Sequence, residues 1–117
     1  MKTDKNSADM ADKVFSYLGF AAKSRNMVTG YNTCEMMMAR RKIKLLIVAE
    51  DLAENTKKKM TQQCDKYNID LKIFGKSEIL SQKTGNSGKG IFGITDSHFA
   101  KIISEEIDRI QSEREVF

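Results

Sequence analysis

The side chains best suited to recognising a partner follow a glycine turn within residues 28–42. Their spacing of three and four positions predicts that one side of a helix carries Asn32, Thr33, Met36 and Arg40. That side offers an amide, a hydroxyl, a thioether and a guanidinium, which bind by contact and hydrogen bonding. The other side is predicted to pack on a core and carries Cys34, Met37, Met38 and Arg41. We interpret the first side as a surface for folded RNA.

A first basic cluster ends this helix and consists of Arg40, Arg41, Lys42 and Lys44. Cations at a helix C-terminus stabilise the helix dipole by roughly 0.3–1 kcal/mol. The cluster therefore fits a structural role as well as contact with an anionic partner.

A second basic cluster is formed by Lys57, Lys58 and Lys59, which follow Asn55, a predicted helix N-cap. The first turn of a helix favours acidic residues, because the dipole is positive there. Three lysines run against this preference, and they indicate contact with a phosphate backbone. The alternative is a solvated run of charge.

The loop at residues 85–90 resembles a nucleotide-binding P-loop only superficially. Two residues, not four, separate Gly85 from Gly88, and Gly90 follows Lys89 where Ser or Thr is required. The loop also leads into a predicted strand and not into a helix. We interpret it as backbone that can approach another molecule closely.

Nothing in the sequence indicates catalysis. His98 has no nucleophile or carboxylate pattern around it, and the two cysteines, Cys34 and Cys64, lack zinc-site spacing. Free cysteines are usually buried, and we expect both to pack in the interior. We therefore predict a protein that is not an enzyme and holds no metal or cofactor.

Composition favours one domain with a basic body. The chain has 117 residues, 40% hydrophobic and 31% charged, with a net charge of +4. Residues 1–60 hold 12 Lys and Arg against 7 Asp and Glu, whereas residues 96–117 hold 3 against 6. This asymmetry suggests an anionic partner, with nucleic acid the first candidate. No apolar run approaches the roughly 20 residues of a membrane helix, and no secretory pattern is present. We expect a cytoplasmic monomer without membrane contact.

The elements that must position these residues alternate between helix and strand. Strands are predicted at residues 27–29, 45–49, 71–74 and 91–94. The helices have candidate N-caps at Asp9, Asn55, Ser77 and Asp96, and the third helix is predicted to end at Asn68. The pattern predicts an α/β fold, a three-layer α/β/α sandwich around a mixed sheet of about four strands. We expect a flexible tail at residues 1–8, a single domain at 9–112 and a frayed end at 113–117.

Three segments in order resemble the bacterial YlxQ-type proteins of the L-seven-Ae / L-thirty-e ribosomal protein family. The first is residues 18–30, LGFAAKSRNMVTG; the second is 45–51 followed by 54–59; the third is 94–100, ITDSHFA. The resemblance implies an L-thirty-e-like fold, binding to structured RNA, in many members to kink-turns, and association with the ribosome.

The resemblance also implies which residues meet the RNA. In the family, the glycine turn and the start of the second helix contact tandem sheared G·A pairs through an Asn-Glu pair and a Lys. Gly30 and Asn32 match this pattern, whereas Thr33 stands where Glu is frequent and Met36 where Lys is usual. The loop that packs on a flipped-out base in the family corresponds to Gly88, Lys89 and Gly90.

The leading hypothesis is a small non-enzymatic RNA-binding protein associated with the ribosome. Its base contacts would come from Gly30, Asn32 and Thr33, and its phosphate contacts from Lys57, Lys58, Lys59, Arg40 and Lys89. The alternative is a protein-interaction module of the same fold without kink-turn affinity, in which Met36 contacts the partner. A third is an RNA-recognition domain separated from an RNA-modifying enzyme.

Overall fold

The computed structural model describes the backbone of residues 2–115 and the side chains of residues 11–113. In this part of the chain, helices and strands alternate as the sequence predicts. The elements are α1 (Lys2–Lys23), β1 (Met27–Thr29), α2 (Tyr31–Ala39), β2 (Leu45–Val48), α3 (Glu54–Tyr67), β3 (Asp70–Ile73), α4 (Ser77–Thr84), β4 (Ile91–Ile94) and α5 (Ser97–Glu115).

The strands form one mixed sheet in the order β1-β4-β2-β3. β4 runs antiparallel to both β1 and β2, and β2 runs parallel to β3. The ends of β1 and β2 therefore lie beside the start of β4. We call this the glycine end of the sheet, because Gly30 and Gly90 lie there. The starts of β1 and β2 lie beside the end of β4, at the opposite end.

Two hydrophobic clusters cover the two faces of the sheet, because successive residues of a strand point to opposite faces. Leu45 and Ile47 face the first cluster, which is completed by α1, α4 and α5. Leu46 and Val48 face the second, which is completed by α2 and α3. All four residues of β2 are buried, as its continuous apolar run predicts. The three-layer α/β/α fold is thereby confirmed.

Two predicted helix ends are confirmed. The Asp96 carboxylate accepts a hydrogen bond of 2.8 Å from the backbone N–H of Phe99 and caps α5. Asn68 ends α3 in the left-handed conformation, with φ at 57°. Asn is one of the few residues with a side chain that adopts this conformation readily.

Three predicted caps are wrong. Asp9 lies inside α1, and α3 begins at Glu54, so Asn55 is already helical. Ser77 is the first residue of α4 and does not cap it. Its backbone N–H and hydroxyl both donate to the Asp51 carboxylate, at 2.9 and 2.6 Å. These hydrogen bonds hold the pKa of Asp51 below its ordinary value. A residue from a distant loop thus completes the helix start that Ser77 was expected to complete itself.

The described helices extend into both predicted tails. α1 begins at Lys2, so residues 2–8 have helical backbone, and the flexibility expected of this segment stays a prediction. Residues 2–8 contain no Gly or Pro to stop the helix, and extending an existing helix avoids the cost of nucleation. α5 continues to Glu115 through most of the predicted frayed segment, and residues 116–117 lie outside the described part of the chain.

Candidate functional site

The glycine turn and the loop before β4 lie side by side at the glycine end of the sheet. The register pairs Thr29 with Phe92, and the backbone N–H of Gly30 continues the ladder by donating 2.9 Å to the carbonyl of Ile91. The fold therefore brings together two segments that the sequence separates by more than fifty residues.

Gly30 is the closest point between these segments. Its φ of 93° lies in the region that side chains rarely adopt. A Cβ added there would lie 3.5 Å from Nζ of Lys89. The Lys89 side chain thus lies over the glycine turn, with its ammonium near the start of α2.

The loop that carries Lys89 is fixed by two residues that the sequence analysis did not single out. The buried Ser81 hydroxyl donates 2.8 Å to the carbonyl of Lys89 and accepts 3.1 Å from its N–H. On the other side, the Leu52 side chain packs so tightly on Gly90 that an added Cβ would lie 2.6 Å from its Cδ2. No sequence signal marks Ser81, since its partner lies across a loop and belongs to no motif.

The start of α2 presents polar groups and an unneutralised helix dipole. Asn32, Thr33 and Met36 are exposed, whereas Cys34 and Met38 are buried against the sheet. The N-cap residue Gly30 makes no side-chain cap, and the first turn contains no acidic residue. Backbone N–H groups and the positive end of the dipole therefore face the same side as Lys89 and favour an anion.

Arg40 and Arg41 do not join this group. α2 has nine residues and ends at Ala39, which places Arg40 about 15 Å along the helix axis from Gly30. Arg41 lies beyond the helix with φ at 59° and is exposed, so its predicted packing on the core is wrong. The cluster that they form with Lys42 and Lys44 lies at the opposite end of the sheet.

The three lysines of α3 differ from one another. Because α3 begins at Glu54, they occupy its fourth to sixth positions and not the first turn. Lys57 lies on the packed side, with 16% of its side chain exposed, and its Nζ pairs with Glu54 at 3.2 Å. Lys58 and Lys59 are exposed. Two of the three can therefore reach a partner without breaking a contact.

Both cysteines lie in the interior of the protein. Cys34 and Cys64 are both buried free thiols in the cluster between α2, α3 and the sheet. Burial raises the pKa of each thiol to about 12, so both remain protonated at neutral pH. Among the described residues, no group of His, Cys, Asp and Glu side chains is arranged to hold a metal ion. No helix there is long and apolar enough to cross a membrane.

Comparison with known proteins identifies the family. The family model described as "Ribosomal protein L7Ae/L30e/S12e/Gadd45 family" matches residues 12–104. The chain belongs to this family. The relatives reported below are named as RNA-binding proteins, and the prediction of a non-enzymatic protein is confirmed.

Named relatives and solved structures agree with the assignment. The chain is 31% identical over 91 residues to "RNA-binding protein YlxQ" of Bacillus subtilis, covering 77% of this chain and 91% of that protein. It is 33% identical over 97 residues to the protein of the same name from Enterococcus faecium, covering 82% and 92%. The resemblance to YlxQ-type proteins is confirmed.

A solved protein of unknown function from Bacillus halodurans superposes with a TM-score of 0.80 at 29% identity, covering 82% of this chain and 97% of the other. A Giardia lamblia 15.5 kD RNA-binding protein superposes with a TM-score of 0.71 at 15% identity, with 90% coverage of both chains. At that identity the second likeness supports the fold alone.

Proposed function

We propose that the chain binds structured RNA of the kink-turn type through the glycine end and acts in association with the ribosome. The observation that carries the proposal is the convergence of Gly30, Asn32 and Thr33 with Lys89 beside an uncapped helix start. Family membership and the names of the YlxQ relatives support RNA as the partner.

The roles divide between the backbone and the side chains. Gly30 leaves room for close approach, and the exposed amide of Asn32 and hydroxyl of Thr33 hydrogen-bond to base edges. Lys89 supplies a cation at the point where RNA backbone would pass the turn. Gly88 and Gly90 shape the loop without adding side chains, so the stacking contact on a flipped-out base is small. Recognition rests on shape and hydrogen bonds more than on aromatic stacking.

The central experiment compares two hairpins by fluorescence anisotropy over a salt titration. One contains a kink-turn with tandem G·A pairs, and in the other these pairs are replaced by Watson–Crick pairs. We expect tighter, salt-sensitive binding to the first hairpin. Asn32→Ala should reduce the preference between the hairpins, because it removes a base contact worth about 1–3 kcal/mol in comparable recognition. Equal affinity of the wild type for both hairpins would contradict kink-turn recognition.

Lysine variants test the phosphate contacts. Lys89→Ala should weaken binding to both hairpins and reduce the salt slope by about one contact. The matched control is Lys83→Ala, which removes another exposed cation, from the end of α4. If both variants behave alike, Lys89 has no special position in the complex.

The same assay distinguishes the contributions of the three α3 lysines to RNA binding. Lys58→Ala with Lys59→Ala should lower the salt slope, whereas Lys57→Ala should leave it nearly unchanged, because Lys57 is paired and mostly covered. A larger effect from Lys57 alone would show that the ion pair with Glu54 opens when RNA binds.

Association with the ribosome is tested in cells. A tagged chain should cosediment with ribosomal particles in a sucrose gradient at low salt and be released at high salt. The Asn32→Ala variant should be depleted from these fractions. Binding to the particles without any hairpin affinity would favour the alternative, a protein-interaction module. Met36 supports that alternative, because 47% of its surface is exposed on the same side of α2.

A further inference from the structure

The end of the sheet opposite Gly30 carries a separate group of cations. We call it the basic end, and its exposed members are Arg25, Arg40, Arg41, Lys42 and Lys44. None of the ion pairs among the described side chains uses them. These cations therefore have no carboxylate within 4 Å among the described side chains, and Asp70 is an acidic residue at the same end, paired with Leu45 in the sheet register.

The sheet register brings the cations together from distant parts of the chain. Met27, Ile94 and Leu45 form one row across β1, β4 and β2. Just beyond this row, the Asn26 carbonyl accepts from Thr95 N–H at 3.0 Å, and the Ile94 carbonyl accepts from Lys44 N–H at 2.7 Å. With neighbouring strands about 4.8 Å apart, the starts of β1 and β2 lie about 10 Å apart, and α1 and α2 lead into them from the two faces of the sheet at this end.

The two arginines at the centre occupy unusual backbone positions. α1 and α2 both end in the double hydrogen-bond pattern of the Schellman motif, with Arg25 and Arg41 at the left-handed position, φ 63° and 59°. α3 and α4 end in the same pattern, but there the left-handed residues are Asn68 and Gly85. Gly or Asn is preferred because other side chains strain this conformation. Among the four helix ends with this pattern, α1 and α2 have Arg at the left-handed position, whereas α3, which also ends at this end of the sheet because Asp70 pairs with Leu45, has Asn68.

Helix stability does not account for this choice. A cation near a helix C-terminus interacts favourably with the dipole, but it does not need the left-handed position to do so. α2 already has Arg40 and Lys42 on either side of Arg41. Local rules that are broken without a visible structural gain indicate function.

We propose that the basic end, centred on Arg25 and Arg41, is a second RNA surface that holds phosphates without reading sequence. The identification of the partner as RNA rests on the proposed function, whereas the basic surface itself does not depend on the glycine end. RNA bound at the glycine end would continue around the molecule to the basic end, so the protein contacts two segments of one RNA. Arginine suits this role, since its planar guanidinium binds phosphate through two hydrogen bonds.

The test is the double variant Arg25→Gly/Arg41→Gly, measured on both hairpins. Affinity for the two should fall by the same factor, about tenfold at 0.1 M salt, and the salt slope should drop by about two. The thermal midpoint should stay the same or rise, because glycine relieves the left-handed strain. Asn68→Gly is the matched backbone control, and Lys13→Ala is the control for lost charge on an exposed helix position.

The outcomes separate this proposal from the proposed function. An equal loss on both hairpins with an intact midpoint supports the second surface, even if the wild type shows no kink-turn preference. A lower midpoint with unchanged affinity would overturn it, since the arginines would then serve helix stability alone. A change in preference between the hairpins would also overturn it, because the contact would then read sequence or shape. Absence of any wild-type binding would overturn both proposals.

Discussion

Ser81→Ala tests how the fold sets the position of Lys89. Ser81 is buried, with 8% of its surface exposed. Its hydroxyl makes two hydrogen bonds to the backbone of Lys89, at 2.8 and 3.1 Å. Alanine removes both and leaves the rest of α4 in place. The variant therefore releases the loop at residues 85–90 without removing any charge from it.

The expected magnitude follows from where the freed groups lie. A net hydrogen bond contributes about 0.5–1.5 kcal/mol, and a buried group left without a partner costs about 1–3 kcal/mol. Lys89 is exposed, so water can reach its N–H and carbonyl once the hydroxyl is gone. We expect the free energy of unfolding to fall by about 1 kcal/mol, near the lower limit of these ranges.

The effect on RNA binding should differ from that of removing the cation. Ser81→Ala keeps the Lys89 charge but loses its fixed position over Gly30, so affinity should fall about three- to tenfold with an unchanged salt slope. Lys89→Ala should lower both affinity and slope. Urea denaturation and the hairpin titration measure the two quantities on the same samples.

A variant of the same helix provides the control. Thr84 is buried, and its hydroxyl bonds only to carbonyls within α4, at 2.8 and 3.5 Å. Thr84→Val should destabilise the protein without changing RNA affinity. If Ser81→Ala gives the same result as Thr84→Val, the hydroxyl does not position the loop for binding. Unchanged hydrogen exchange at the Lys89 amide would refute the reasoning directly.

Three further predictions concern α2, the sheet and the thiols. Met36→Lys should tighten hairpin binding and raise the salt slope by about one, whereas Met36→Gln should do neither; equal effects would exclude a charge contact there. Gly93→Ala should cost about 1–3 kcal/mol, because the new Cβ would lie 2.6 Å from Cδ1 of the buried Ile43. Ile43→Val should recover part of this cost in urea denaturation, and strictly additive losses would contradict the clash. The raised pKa values of Cys34 and Cys64, about 12, predict stability that is present below pH 9 and lost as the pH rises toward 12. A Cys34→Ala/Cys64→Ala variant should lose less stability over that pH range.

The order of elements could be predicted because it depends on local periodicity. The continuous apolar run at residues 45–49 and the helical stripe through Ile103, Ile107 and Ile110 each identify an element without knowledge of its neighbours. The start of α4 could not be predicted in the same way. Its first N–H group is satisfied by Asp51, which is 26 residues away, so tertiary structure decides where that helix begins.

The candidate site was predictable in its residue types and not in its arrangement. Helical spacing correctly predicted that Asn32, Thr33 and Met36 lie on the exposed side of α2. It could not reveal that α2 ends at Ala39, with Arg40 beyond it and far from Gly30, or that Lys57 pairs with Glu54 of its own helix. These facts depend on where each helix stops and on which side faces the sheet, and packing fixes both.

The helix ends show where a local rule stops being enough. Gly or Asn after an apolar stripe predicts a left-handed cap, and the rule holds at Asn68 and Gly85. The rule does not predict Arg25 and Arg41, which adopt the left-handed conformation although arginine rarely does so. The sequence shows two arginines far apart, and only the register of β1, β4 and β2 shows that both lie at one end of the sheet. A left-handed backbone repeated at two helix ends beside one end of the sheet is a property of the fold, and it distinguishes these two cations from the other described basic residues.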